Sequence, residues 1–248
     1  MSKMKLQVVM LSSLLSSTAF AGTMGWEDNE VWPLVITLSG GPAWITGLDN
    51  QTITVEPDVV KTYTADNNDE TLGVVELFVG WNSASSSSVQ GQLGLAVVGT
   101  SSAALQGSIW EDANPNFDNF YYSFNVRHLH VAAKAKLVGD MGYNFMPYIS
   151  GSLGYGYNRA TNFSITPKIF QEVAAPAYTD SNTSTFTYTA GVGIEYLISS
   201  NWRMGLGYEF ADWGKIELGL APNQIAGSSY GINHLYTQQF QLSLSYFT

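Results

Sequence analysis

The chain has 248 residues, no cysteine, and a net charge of −10 carried on only 12 % charged residues. The negative sign argues against nucleic acid as a partner, the missing cysteine excludes a disulfide framework or thiolate metal centre, and so few charges, against roughly 25 % in ordinary soluble domains, argue against an ordinary soluble surface. Aromatic residues make up 13 % and glycines number 24, a composition suited to packed strands.

The first residues read as a secretory signal. Lys3 and Lys5 give a basic start, Leu6–Leu15 a short apolar run, and Ala19-Phe20-Ala21 a small-x-small cleavage site, so residues 1–21 are expected to be removed and the mature chain to start at Gly22. No internal apolar run reaches the ~20 residues of a membrane helix. Residues 22–31 read as a lead-in, and 32–248 as one domain.

From there the pattern has period two, the mark of strands with two unlike faces. The first expected strand is Trp32–Trp44, followed by an acidic connection, Ile45–Glu70. Thr71–Trp81 is the second, a Ser-rich turn at Asn82–Ser88 follows, and Val89–Gly99 is the third. After a long segment through Trp110, Pro115 and Phe120 comes the fourth, Tyr122–Val138, then a tight turn at Gly139–Asn144 and the fifth, Phe145–Asn158. Arg159–Ser184 is a long connection, Thr185–Leu197 the sixth strand, Ile198–Asn201 a short turn, and Trp202–Ala211 the seventh. Asp212–Ile232 is long, and Asn233–Phe247 is the eighth.

One face of each strand is apolar, as with Leu93, Leu95 and Val97; the other is small and polar, as with Gln90, Gln92, Gly94 and Ala96. A water-facing strand would carry Lys, Glu and Thr instead, whereas a narrow barrel interior takes small polar groups and a few paired charges. Eight strands joined by alternating long and short connections predict an all-β, eight-stranded, antiparallel up-and-down transmembrane β-barrel, each strand near the ~9–11 residues that a tilted membrane strand requires.

With the short turns placed in the periplasm, the aromatic residues sort into two belts. Trp32, Trp81, Phe145, Tyr196, Trp202 and Tyr246 fall near the periplasmic end; Tyr155, Tyr157, Phe186, Tyr188, Tyr208, Phe210 and Tyr236 fall near the outer end.

The charges Glu76, Lys134, Lys136, Glu195, Arg203 and Glu209 share the polar face. An eight-stranded barrel is just wide enough for side chains to fill it, so these are expected to pair: Glu195 with Arg203 across their short turn, Glu76 with Lys134 or Lys136. They form either a salt-bridged plug, the favoured reading, or the lining of a narrow pore for small solutes. His128 and His130 lie on the same face; two histidines at this spacing could hold a metal, but no third ligand stands at matching spacing, and a hydrogen-bonded structural role is favoured. No metal site or cofactor is expected, since the acidic connections (Asp49, Glu56, Asp66, Glu111, Glu172 among them) lack EF-hand spacing. Asp212 and His234 could be catalytic groups at the rim, but no nucleophile-elbow motif accompanies them, and no catalytic residue is assigned.

Several segments carry a resemblance: Pro33–Trp44 (Pro-Leu-Val-Ile-Thr-Leu-Ser-Gly-Gly-Pro-Ala-Trp), Pro147–Asn158, Gly207–Lys215 (Gly-Tyr-Glu-Phe-Ala-Asp-Trp-Gly-Lys) and His234–Phe247. Together they resemble the outer-membrane β-barrel superfamily that includes the OmpA transmembrane domain and the opacity-type surface antigens of Gram-negative bacteria. The resemblance implies a monomeric barrel in the Gram-negative outer membrane, in contact with its lipid and lipopolysaccharide, inserted by the barrel-assembly machinery, and serving as a structural protein, adhesin or surface antigen that meets a host or surface ligand through its loops. No shared catalytic residue comes with it. The chain departs from the pattern where it ends: Phe247 is penultimate, on the polar-face parity, and no peptidoglycan-binding domain follows.

Overall fold

The computed structural model describes residues 32–248 apart from 57–58, 67–69, 84–87, 171–177 and 223–228; the expected signal peptide and lead-in lie outside the described residues. The strands are β1 (Leu34–Thr46), β2 (Gln51–Glu56), β3 (Val59–Ala65), β4 (Thr71–Asn82), β5 (Val89–Thr100), β6 (Ala103–Glu111), β7 (Asp118–Gly139), β8 (Phe145–Pro167), β9 (Ser181–Leu197), β10 (Trp202–Asp212), β11 (Ile216–Glu217), β12 (Gly231–Ile232) and β13 (Tyr236–Phe247).

Eight of these close a ring. β1 pairs with β4, β4 with β5, β5 with β7, β7 with β8, β8 with β9, β9 with β10, β10 with β13, and β13 returns to β1, every pair antiparallel. Ring order follows chain order, which is the up-and-down meander, and closure leaves no sheet edge around the barrel. The outward residues of the ring form an apolar band: Leu38, Leu77, Leu95, Val131, Leu153, Ile194, Leu206 and Leu242 are all exposed. An apolar band exposed around a closed sheet is the arrangement that hydrocarbon stabilises.

Three expected connections contain strands, Asp212–Ile232 holding the short β11–β12 pair. The segment expected to be only a link between the first two ring strands holds the β2–β3 hairpin, and the long segment before β7 holds β6. In space they run β2–β3–β6 and join the sheet on the outer half of β7. β8 continues to Pro167, past the expected end at Asn158, and stays paired with β7 as far as Phe120.

The reason is an exchange of faces along β7. Near the membrane, Leu129, Val131, Ala133, Ala135 and Leu137 point outward while His128, His130, Lys134 and Lys136 are buried inside. Beyond Arg127 the same parities trade chemistry: Phe120, Tyr122, Phe124 and Val126 point inward and are buried, and Tyr121, Ser123, Asn125 and Arg127 face out. The outer half follows the soluble-protein rule, apolar inside, and the inner half follows the membrane rule, so the strand crosses the interface between Leu129 and Arg127. The inward apolar groups of the outer half pack with Ile53, Tyr63, Leu105, Ile109, Phe163, Trp213, Tyr230 and Leu235 into a dry cap above the lumen.

Candidate functional site

The ring's interior is stacked in layers. Deepest, toward the short turns, Val35, Phe78, Ala96 and Phe247 make a small apolar seal. Next comes the charge layer. The ammonium of Lys134 lies 2.8 Å from both oxygens of Glu76 and 2.9 Å from Glu209. Lys136 donates to Glu195 at 2.8 Å and sits 4.5 Å from the centre of the Tyr148 ring. Arg203 reaches Glu195 at 3.5 Å and Gln90 at 2.9 Å, and its guanidinium covers the Phe247 ring at 4.2 Å. The structure thus brings the six expected residues into two clusters, one cation with two carboxylates and two cations with one carboxylate, whose charges balance only when taken together. Lys136 is the nearer partner of Glu195, and Arg203, offset along the β9–β10 ladder opposite Leu197, is the more distant one.

Neutral groups complete this layer. Gln241 donates to Glu209 and to Gln239, Ser39 to Glu76, and Thr37 shares a 2.8 Å hydrogen bond with Ser245. Tyr148 lies across the lumen over Gly193, where a Cβ would strike its ring, and Gly207, where a Cβ would strike its hydroxyl. The cavity left among Glu76, Lys134, Tyr148, Glu209 and Gln241 measures about 20 Å³, room for about one water.

Above the charges lies a histidine layer. Asn158 donates its amide hydrogens to the carbonyls of Trp213 and Lys215, both at 2.8 Å, so its oxygen accepts from His128 Nδ1 at 2.6 Å. Neutral His128 is then an acceptor at Nε2 and takes the Nδ1 hydrogen of His130 at 2.7 Å. Both nitrogens of His128 are committed, and Glu76 and Glu209, the carboxylates nearest in the sequence reading to a third ligand, are held by Lys134. The pair is hydrogen-bonded to Asn158 and within itself. Trp213 stacks flat on His128, 4.7 Å apart at 5°, and joins this layer to the dry cap.

At the rim, His234 Nδ1 stands 2.7 Å from Asp212, whose other oxygen accepts from the Gly214 amide at 2.7 Å. Gly214 has φ +70, the left-handed turn that lets the chain fold from β10 back across the barrel mouth. An Asp–His pair can orient an imidazole as a base, but among the described residues no hydroxyl is hydrogen-bonded to His234.

The residues of the two expected aromatic belts all project from the outer wall. Phe145 meets Tyr196 at 4.9 Å and Trp202 meets Tyr246 at 5.0 Å near the short turns; Phe210 stacks on Tyr236 at 5.6 Å toward the other end. Trp44 and Phe240, 5.8 Å apart, belong with this second group and were missed in the sequence because they sit beside a glycine pair and within a glutamine-rich strand. The cap was also missed; its signal was the apolar run of even-numbered residues from Phe120 to Val126.

A family model for the outer membrane protein beta-barrel domain matches residues 12–247. Among solved structures, Neisserial surface protein A aligns with a TM-score of 0.45 and 10 % identity over 86 % of this chain and 96 % of its own. The outer membrane protease OmpT from Escherichia coli aligns at 0.45 and 9 % over 92 % and 100 %, and OprG from Pseudomonas aeruginosa at 0.42 and 13 % over 88 % and 97 %. The comparison with curated proteins gave no match.

Proposed function

We propose that this chain, which belongs to the outer membrane protein beta-barrel domain family, works as a closed, non-enzymatic surface protein: the ring anchors it in the outer membrane and the strands beyond the membrane present a rigid face to the cell's surroundings, in the manner of an adhesin or surface antigen. Export through the signal peptide, insertion by the barrel-assembly machinery and action as a monomer belong to the same reading.

The observation that carries it is the filled interior. Paired charges, the His128–Asn158–Trp213 layer and the dry cap follow one another along the axis, and the cavity in the charge layer measures about 20 Å³. A solute path would have to break buried ion pairs, several kcal/mol each, and then enter an apolar core. The β2–β3–β6 extension gives the outer face its area, while among the described residues no hydroxyl is hydrogen-bonded to His234 of the Asp212–His234 pair.

Planar-bilayer recording tests the closed barrel. The folded protein is expected to give no conductance steps; steady channels whose conductance changes in Glu76→Gln would establish the pore reading instead. Replacing residues 51–65 by a short turn, with heat-modifiable gel migration intact, is expected to abolish attachment of expressing bacteria to host cells or matrix. Undiminished attachment would remove the outer face from the account.

A further inference from the structure

The cations of this acidic chain are almost all spoken for. Among the described residues Lys61 pairs with Glu111, Lys134 with Glu76 and Glu209, Lys136 and Arg203 with Glu195, Lys168 with Asp118, and Lys215 with Glu217. Arg127 and Arg159 have no carboxylate partner among those residues. They are also directly opposite each other in the β7–β8 ladder, both exposed on the outer wall. Like charges set opposite on neighbouring strands repel, so an anion held between them would stabilise this placement.

Their position says where the anion comes from. Each arginine is the next outward residue after the membrane band, Arg127 following Leu129 and Arg159 following Tyr157. That is the height at which lipid headgroups meet the barrel. Arg127 is already oriented, its Nε donating to the Thr100 carbonyl at 3.3 Å and leaving the two terminal nitrogens for a ligand.

Beneath and beside the pair runs a groove of about 1010 Å³ on the outer wall, floored by Gly73 and Gly99 and walled by Val75, Leu77, Val97 and Leu129. It exists because those glycines face outward without a side chain; a Cβ at Gly99 would touch only Leu129 at 3.7 Å. An apolar trough lined at its rim by two arginines fits an amphiphile with acyl chains and a phosphate. Guanidinium forks bind phosphate bidentately.

We propose that Arg127 and Arg159 with the groove below them form a binding site for one phosphorylated, multiply acylated lipid of the outer leaflet, the lipid A class, with a phosphate between the guanidinium groups and a chain along Gly73 and Gly99. The site lies on the outer wall and goes beyond the surface role proposed above, which needs no particular lipid.

Native mass spectrometry of the detergent-purified protein, titrated with bis-phosphorylated lipid A, tests it. Wild type is expected to retain one lipid; R127Q/R159Q is expected to weaken retention about tenfold or more, the scale of losing a charge-assisted contact. Lipid A stripped of phosphate is expected to bind the wild type no better than it binds that variant. Gly99→Leu keeps both arginines and fills the trough, and is expected to weaken binding as well; R159Q alone covers the case in which the double variant does not fold. Unchanged retention in R127Q/R159Q, or in R159Q if only that variant folds, overturns the site. Unchanged retention in Gly99→Leu, or full displacement by inorganic phosphate, overturns the lipid and leaves a free-anion site. Heat-modifiable migration is followed in every sample, so a failed lipid site is distinguished from a failed barrel.

Discussion

Lys134 and Glu76 meet with the ammonium 2.8 Å from each carboxylate oxygen, and Glu209 closes on the same nitrogen from across the barrel. One cation between two buried carboxylates joins β4, β7 and β10, strands that are not neighbours in the ring. The contact therefore fixes the relative height of three walls at once.

Removing the cation leaves Glu76 and Glu209 buried face to face. Lys134→Met is expected to destabilise the folded barrel by about 3–5 kcal/mol, read as a lower urea midpoint for the heat-modifiable band. Adding Glu76→Gln and Glu209→Gln to it should recover much of that loss; a triple variant as weak as the single one would mean that the charges are not coupled.

Trp213 is the joint between membrane ring and cap, buried at 1 % exposure and stacked on His128. Trp213→Ala removes a large buried ring and is expected to cost about 3–5 kcal/mol. The loss should fall on the outer half, so protease should cut between Ala103 and Val126 while the ring still migrates as folded. Simultaneous loss of both would show that cap and ring unfold as one.

Alkaline pH should open the cap. Burial first, then the neighbouring Tyr178, pushes the Tyr63 phenol above its ordinary value of 10.0, and burial moves Tyr230 the same way. A folded-state pKa above the unfolded one means that the neutral phenols stabilise the cap fully below pH 10, and that this contribution is lost as pH rises beyond it. In a jump to high pH, the exposed tyrosines should ionise at once and the buried ones only as fast as the cap unfolds, followed by phenolate absorbance. A single fast phase would contradict a dry cap.

Gly193 leaves room for the Tyr148 ring. A Cβ there would lie 2.5 Å from both the Leu206 carbonyl oxygen and the Tyr148 ring carbon that bears the hydroxyl. Gly193→Ala is expected to lower stability by about 1–3 kcal/mol through overpacking, measured by the same urea midpoint, and Tyr148→Ala in that background should relieve part of it.

The membrane ring was legible in the sequence because lipid imposes one rule on every strand: apolar out, small and polar in. That rule places Leu129 and Val131 outside and His128 and Lys134 inside without knowledge of any neighbour. The cap was not legible by the same rule because water reverses it. Read with membrane parity alone, Phe120 and β6, with Leu105 and Ile109 inward, fell in one long connection, and Tyr122 and Phe124 opened the fourth strand on what was expected to be its polar face. Pairwise geometry was harder still. Glu195 and Arg203 flank one turn, but the shorter bond to Glu195 comes from Lys136 on another wall, and only the closure of the ring brings those two together. Arg127 and Arg159 carried no periodic signal; their meaning lies in a cross-strand register that sequence alone does not provide.

The hairpin of β7 and β8 does not stop where the lipid does. Both strands run past twenty residues and stay paired from the tight turn to Phe120 and Pro167, roughly twice the ~9–11 residues needed to cross a bilayer. What stands above the cell is consequently a ruler and not a tassel. Tyr121, Ser123 and Asn125 are held at pleat spacing before anything arrives, so an antibody or receptor that touches this face meets a shape already made and loses little freedom of the protein's own chain in gripping it.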